Sequence, residues 1–120
     1  MKSFWGSVVL FAIIVFAVII NGIYIIHVSD RLSAYAEQLE KEKNPATLLG
    51  ELQDFWDYHR RFLSLSVDTA TIDEVEKIIL ALAVSHQNSN LHEFEKHRAY
   101  LDEMSKEISR LERLDIENIF

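Results

Sequence analysis

A long uncharged segment at the beginning of the sequence limits what this chain can fold into. No Asp, Glu, Lys or Arg occurs between Lys2 and Asp30, and the most apolar part extends from Phe4 to Ile26. As an α-helix this part is about 35 Å long, enough to cross a hydrocarbon core of roughly 30 Å. We therefore predict an N-terminal membrane anchor over residues 1–29, with a transmembrane helix at about residues 4–26.

The length of the apolar segment favours an uncleaved anchor over a secretory signal, whose apolar region has about 7–15 residues. The one Ala-x-Ala match, Ala34–Ala36, follows the charged pair Asp30 and Arg31, which is a poor cleavage context. Trp5 and Tyr24, near the two ends of the segment, fit the interfacial positions of aromatic residues in membrane helices.

Two residues near the outer end of this segment, Asn21 and Gly22, leave two interpretations open. They are either tolerated at the depth of the membrane interface or part of a helix–helix contact, since an amide can hydrogen-bond across such a contact.

The orientation of the anchor follows from its flanking charges. Lys2 lies directly before the apolar segment, whereas the basic residues beyond it, Arg31, Lys41 and Lys43, alternate with acidic ones. Positive charge favours the cytoplasmic side. We expect a single-pass protein of the cell membrane with a cytoplasmic N-terminus and an extracytoplasmic C-terminal domain.

The rest of the chain is polar and acidic. It contains all 19 acidic residues, and the whole chain has a formal net charge of −7. Nucleic acids and anionic lipid surfaces bind to basic surfaces, so this balance argues against a nucleic-acid partner. The absence of cysteine excludes disulfides, thiolate metal ligands and a cysteine nucleophile.

The remaining residues, 30–120, are patterned as helices. No Gly or Pro occurs between Ile23 and Asn44, so the anchor helix can continue to Lys43. We expect Asn44 to cap the second helix, Pro45 to lie in its first turn, and residues 63–68 to form its end and a loop. An apolar stripe at helical spacing supports the continuation of the anchor helix: Leu32, Tyr35, Ala36 and Leu39.

Two further helices are predicted from their capping residues. Thr71 and Glu74 have the spacing of a capping box, and Asn90 with Glu93 repeats that pattern after a turn at residues 87–90. Short loops favour antiparallel neighbours. The fold class is therefore all-α: an N-terminal transmembrane helix followed by an up-down antiparallel helical bundle of three to four helices.

No constellation of residues indicates catalysis, a cofactor or a metal. His92 and His97 are five residues apart and do not share a helix face, so they lack the spacing of a helical zinc pair. His59 lies on an apolar stripe and is expected at the edge of the bundle, as is Arg98. We predict no catalytic, cofactor-binding or metal-binding residues, and a core that contains the aromatic residues Phe55, Trp56, Phe62 and Phe94.

The residues from Phe55 to Asp68, from Ile72 to Glu76, and Asn118–Phe120 resemble domain-of-unknown-function family 4363, small uncharacterised single-span membrane proteins of Firmicutes. The resemblance covers nearly the whole length and implies a bacterial membrane protein that faces outward. It implies no catalytic residues. Members often have a His after the residue that corresponds to Asp68, whereas this chain has Thr69.

Two classes of function fit these features. The first is a non-enzymatic interaction module, anchored in membrane lipid, that engages another membrane or envelope protein or a second copy of itself. The second is an extracytoplasmic sensor domain for a small molecule, which signals through a partner. A sensor requires a cavity lined for its ligand, so a ligand-sized cavity in the bundle would favour the sensor over the interaction module.

Overall fold

The computed structural model describes residues 2–119, and these residues form four helices and no strand. This confirms the predicted fold class. The helices are α1 (Lys2–Lys41), α2 (Ala46–Leu63), α3 (Thr69–Gln87) and α4 (Leu91–Ile119). The molecule measures 68 × 23 × 22 Å, and its long dimension follows α1, which at 1.5 Å per residue is about 60 Å long.

α1 is one uninterrupted helix of 40 residues that changes its surroundings partway along. Its side chains are mostly exposed up to Ile20, and its first buried residue is Gly22. The helix therefore continues through Ser29 without a break and forms one wall of the bundle. From Gly22 onward, its buried residues recur at spacings of three and four: Gly22, Ile25, Val28, Ser29, Leu32, Ser33, Ala36 and Leu39.

The apolar part of α1 has the composition of a membrane span. Among the described residues, α1 is the one helix that is long and apolar enough to cross a membrane, with a mean hydropathy of 2.9 in its most apolar window. Only 11% of that window is buried in the protein. Most apolar residues of this window are consequently not used for packing within the chain.

The four helices form an up-down arrangement in which each contacts its neighbours. α1 contacts α2 and α4, and α3 contacts α2 and α4. α4 is the main partner of α1, and the two pack closely through small side chains such as Ser105 and Ser109. Near the end of α4, Ile116 lies against Gly22, so α4 reaches the level at which packing on α1 begins. Gly22 is thus part of a contact between α1 and α4 within the chain, and the predicted contact of Asn21 between membrane helices stays a prediction.

The core is a continuous apolar cluster contributed by all four helices. Its most deeply buried large residues are Leu32, Leu52, Leu82 and Leu101. Trp56 is also buried, and its indole Nε1 has no hydrogen-bond partner among the described residues. Apolar burial at about 25 cal/mol per Å² is the dominant stabilising contribution in such a core.

The starts of α2 and α3 differ from the sequence predictions. Pro45 lies at the N-cap of α2, one residue before the first turn, and no side chain caps this helix. α3 begins at Thr69 after the N-cap residue Asp68, so Thr71 lies inside the first turn and cannot cap it. The predicted capping box was therefore wrong, because the N-cap residue is Asp68, three residues before Thr71.

The connection between α3 and α4 agrees with the prediction. α3 ends at Gln87, and Asn90 accepts a hydrogen bond from the Glu93 backbone N–H at 3.2 Å, as an N-cap residue does. Ser89 has a φ of 55°, and the Asn90 N–H donates to the Ser85 carbonyl. This is the Schellman geometry with a non-glycine residue in the left-handed position.

Candidate functional site

An aromatic cluster joins α1 to α2 near the level at which α1 enters the bundle. The hydroxyl of Tyr24 lies 2.6 Å from His59 Nδ1, within hydrogen-bond distance. The His59 ring centroid is 4.4 Å from that of Phe55 and 4.9 Å from that of Tyr58. Burial lowers the pKa of His59, and nearby His27 lowers it further. A neutral imidazole whose Nδ1 accepts a hydrogen bond from the Tyr24 hydroxyl fits these surroundings and joins the two helices.

The other histidines of interest do not form a ligand set. His92 is exposed, whereas His97 Nε2 lies 3.4 Å from the Glu93 carboxylate one helical turn away. Within residues 2–119, no three His, Asp or Glu side chains are arranged to hold a metal ion. The Glu93–His97 contact is an ordinary pair at i, i+4 spacing.

Arg98 is buried in the contact between α4 and α1, so the expectation of an edge residue was wrong. Its guanidinium binds both carboxylate oxygens of Glu95, at distances of 2.6–3.0 Å. Its Nη1 also approaches the Ala36 carbonyl at 3.4 Å and Glu40 at 3.8 Å. The hydrogen bonds with Glu95 raise the pKa of Arg98, and in turn they lower the pKa of Glu95. The satisfied guanidinium explains how this cation is accommodated inside the helix pair.

A series of polar contacts continues along the same helix pair toward the end of α4. Ser33 donates to Asp102 at 2.5 Å, and Ser109 donates to Asp30 at 2.9 Å. Arg113 reaches the other oxygen of Asp30 at 3.0 Å. Each of these contacts joins a residue of α1 to a residue of α4. Together they set the register between the two helices.

The opposite face of α4 forms an open groove with α3. The groove has a volume of about 570 Å³. Its floor is apolar and includes Ile78, Met104 and Ile108, and Leu111 lies at one end. Its rim carries three glutamates, Glu74, Glu103 and Glu107.

Two of the three glutamates on the rim of this groove have no cationic partner among residues 2–119. Glu107 pairs with Arg110 at 2.5 Å. Glu74 and Glu103 make no ion pair with another residue between 2 and 119, and both are exposed. The groove therefore combines an apolar floor with an acidic edge, a pattern that suits an apolar surface flanked by positive charge.

The sequence did not indicate this groove, because its residues look like ordinary helix positions until α3 and α4 are brought together. The sequence pattern also misplaced Phe62, which was expected in the core but is 48% exposed. The other predicted core aromatics, Trp56 and Phe94, are buried, and Phe55 is partly buried against the core. The helical period alone could not distinguish the two sides of the α2 stripe.

No related protein is found with which the groove and the helix contacts could be compared. The chain matches no protein-family model, no curated protein and no solved structure. The family resemblance described above therefore stays a prediction.

Proposed function

We propose that this protein is a single-pass membrane protein whose helical bundle binds another membrane or envelope protein and performs no catalysis. The observation that carries the proposal is the groove between α3 and α4, which offers exposed apolar surface beside acidic side chains. Apolar surface drives association, whereas complementary charge selects the partner and its orientation.

The chemistry of the groove favours one kind of occupant, an amphipathic helix with basic residues beside its apolar face. Helix-in-groove recognition places apolar anchors at i, i+3, i+4 and i+7 spacing. Thr71, which lines the groove, also lies close to Ile25 of α1, so the groove opens toward the apolar part of α1. A partner helix that leaves the membrane beside α1 would meet the groove at this end.

The alternative function, a small-molecule sensor, has less support from the interior of the bundle. The void enclosed between Ile25, Trp56 and Val75 has a volume of about 10 Å³. A void of this size holds at most one water molecule and is far smaller than a ligand pocket, which has about 300–1,000 Å³. The groove is open to solvent along its length and suits a helix better than an enclosed metabolite.

The proposed setting is a bacterial cell membrane, with the N-terminus in the cytoplasm and the bundle outside. The distribution of basic residues and the family resemblance both support it. The chain contains no cysteine, so an Asn88→Cys substitution in the exposed α3–α4 turn creates a unique thiol. Labelling by a membrane-impermeant maleimide in intact cells is expected; labelling only after lysis would put the bundle in the cytoplasm.

The test of the proposed function is photo-crosslinking from inside the groove in the native host. A photoreactive phenylalanine analogue replaces Tyr100, whose side chain lines the groove and is about half exposed. The control position is Leu80 on α3, an exposed residue outside the groove. We expect a discrete adduct from position 100 that is lost on Glu103→Lys and retained on Glu51→Lys, which reverses an exposed charge on α2.

Three outcomes would contradict the proposal. Equal adducts from positions 80 and 100 would show random collisions, and an adduct that survives Glu103→Lys would show that the acidic rim does not contribute to binding. An adduct with twice the mass of the chain would identify a second copy as the occupant, in place of a different protein.

A further inference from the structure

The length of α1 outside the bundle fixes where the bundle lies relative to a bilayer. The segment from Lys2 to Asn21 contains 20 residues before the first buried position and is about 30 Å long, which matches the hydrocarbon core. Trp5 and Tyr24 are about 28 Å apart along the helix, which is the separation of two interfacial aromatic belts. No linker separates this segment from the bundle, because α1 is continuous.

The connection between α2 and α3 lies at the same end of the bundle. Leu63 and Val67, at the two ends of this connection, line the small core void together with Ile25 and Val28 of α1. Ile25 is four residues beyond Asn21, a distance of about 6 Å along the helix axis. The headgroup layer on each side of the hydrocarbon core is about 5–7 Å thick. The connection is therefore at the depth of the lipid headgroups when the apolar part of α1 spans the core.

The side chains of this connection suit such a depth. The segment Phe62–Val67, which comprises the last two residues of α2 and most of the connection, contains no charged residue, and its Leu65 is 83% exposed. The one charged residue of the connection is Asp68, the exposed N-cap residue at its end. Phe62 and Tyr58, one turn apart on α2, are also exposed and continue the apolar surface from Leu65 along α2. Arg61, exposed in the last turn of α2, is placed to reach phosphate groups while its stem lies on apolar surface.

We infer that the Phe62–Val67 segment inserts into the headgroup layer of the phospholipid bilayer that α1 spans, with Leu65 and Phe62 toward the acyl chains and Tyr58, one turn farther from the bilayer on α2, among the headgroups. This inference rests on the membrane anchoring put forward in the proposed function. The lipid surface is then a second point of attachment for the bundle, beside α1. Two attachments hold the bundle against the membrane and limit its tilt about α1.

The experiment compares two labelled leucines with equal exposure. Leu91, in the first turn of α4 at the opposite end of the bundle, is also 83% exposed. Leu65→Cys and Leu91→Cys variants of the full chain are labelled with an environment-sensitive nitrobenzoxadiazole dye and reconstituted into phosphatidylcholine vesicles. A Ser66→Cys variant provides a second position in the connection. Circular dichroism of each labelled protein checks that the bundle is folded.

We expect the label at position 65 to emit at shorter wavelength, to be quenched by lipids with brominated acyl chains, and to be several-fold less quenched by aqueous iodide than the label at position 91. Equal iodide quenching at positions 65, 66 and 91 in folded protein would overturn the inference. Shielding at position 65 without quenching by brominated lipids would also overturn it, and would indicate a protein contact.

Flotation of the same vesicles separates the inference from the proposed function on which it rests. Protein that fails to float with the vesicles contradicts membrane anchoring. Protein that floats, but whose label at position 65 behaves as the label at position 91 does, contradicts only the insertion of the connection.

Discussion

The ion pair between the buried Arg98 and the half-exposed Glu95 predicts an asymmetry between two substitutions. Arg98 has only 9% of its side chain exposed, whereas 55% of the Glu95 side chain is exposed. Removing Glu95 leaves a cation inside the contact between α4 and α1. Removing Arg98 leaves a carboxylate that water can solvate. Glu95→Gln is therefore expected to destabilise the bundle more than Arg98→Met does.

The magnitudes follow from this difference in exposure. Breaking a fully buried ion pair costs about 3–5 kcal/mol. Glu95 is half exposed, and Glu40 remains 3.8 Å from Arg98, so we expect Glu95→Gln to cost about 1–2 kcal/mol. Arg98→Met removes the buried charge and leaves only a half-exposed carboxylate that water can solvate, so this variant should lie within about 1 kcal/mol of the parent protein.

The assay is denaturant unfolding of the full chain in detergent micelles. A Trp5→Phe background leaves Trp56 as the only tryptophan, and its burial in the core makes its fluorescence a reporter of bundle unfolding. Glu103→Gln, at an exposed position on the same helix, controls for the loss of one negative charge. Because Arg98 lowers the pKa of Glu95, the stabilisation is present above the unfolded-state pKa of about 4.3 and is lost as pH falls through the lower folded-state pKa.

Two results would refute this reasoning. One is an Arg98→Met variant that is destabilised more than Glu95→Gln, since that would make the arginine itself the stabilising element. The other is a cost of Glu95→Gln that is unchanged in acid, below the folded-state pKa, where the parent carboxylate is also neutral.

Three further predictions can be checked by the same unfolding assay. Leu101→Ala, at a fully buried position, should cost about 2–5 kcal/mol, whereas Leu80→Ala, at an exposed one, should stay within about 0.5 kcal/mol; equal costs would contradict the assigned core. Gly22→Leu should cost about 1–3 kcal/mol, because a Cβ at this position would lie 2.9 Å from Ile116 Cδ1; an unchanged midpoint would mean that this contact does not form. Burial, together with the neighbouring Asp115, raises the pKa of Glu112, so Glu112→Gln should stabilise the bundle at neutral pH. That gain should disappear below a pH of about 4.3, and a gain that persists in acid would exclude the charge as its cause.

The helical architecture could be predicted because it depends on patterns local in sequence. The apolar segment from Phe4 to Ile26 and the three- and four-residue spacing of later apolar residues are properties of single helices. The turn at residues 87–90 was equally local, since Asn90 caps α4 through its own side chain. The prediction that Thr71 caps α3 was wrong because Asp68 and Thr71 are both suitable N-cap residues. The sequence alone does not show which of the two the helix uses.

The features that depend on helix pairing could not be read from the sequence. Arg98 looks like an edge residue on α4 alone, and only the approach of α1 with Ala36 and Glu40 buries it. The floor of the groove is formed jointly by Ile78 of α3 and Met104 of α4, residues 26 positions apart in the sequence. A helical period identifies the apolar face of one helix but gives neither its rotation nor its register against another.

The continuity of α1 connects the proposed membrane anchor to the proposed binding surface. The buried residues of α1 begin at Gly22, directly after its exposed apolar part, and α4 packs along the same helix to Arg98 and beyond. Because α1 is one continuous helix that contains no proline, we expect a tilt or rotation of its exposed apolar part to move the packed part with it. In the proposed topology, the groove on α3 and α4 therefore has a height and direction above the bilayer that follow from the helix packing. A partner that is itself held in the membrane meets the groove in a restricted set of orientations, which lowers the entropic cost of binding. On this reasoning, a flexible insertion between Asn21 and Gly22 is expected to lower the yield of the crosslinked adduct from position 100. The unfolding midpoint of the bundle is expected to stay unchanged.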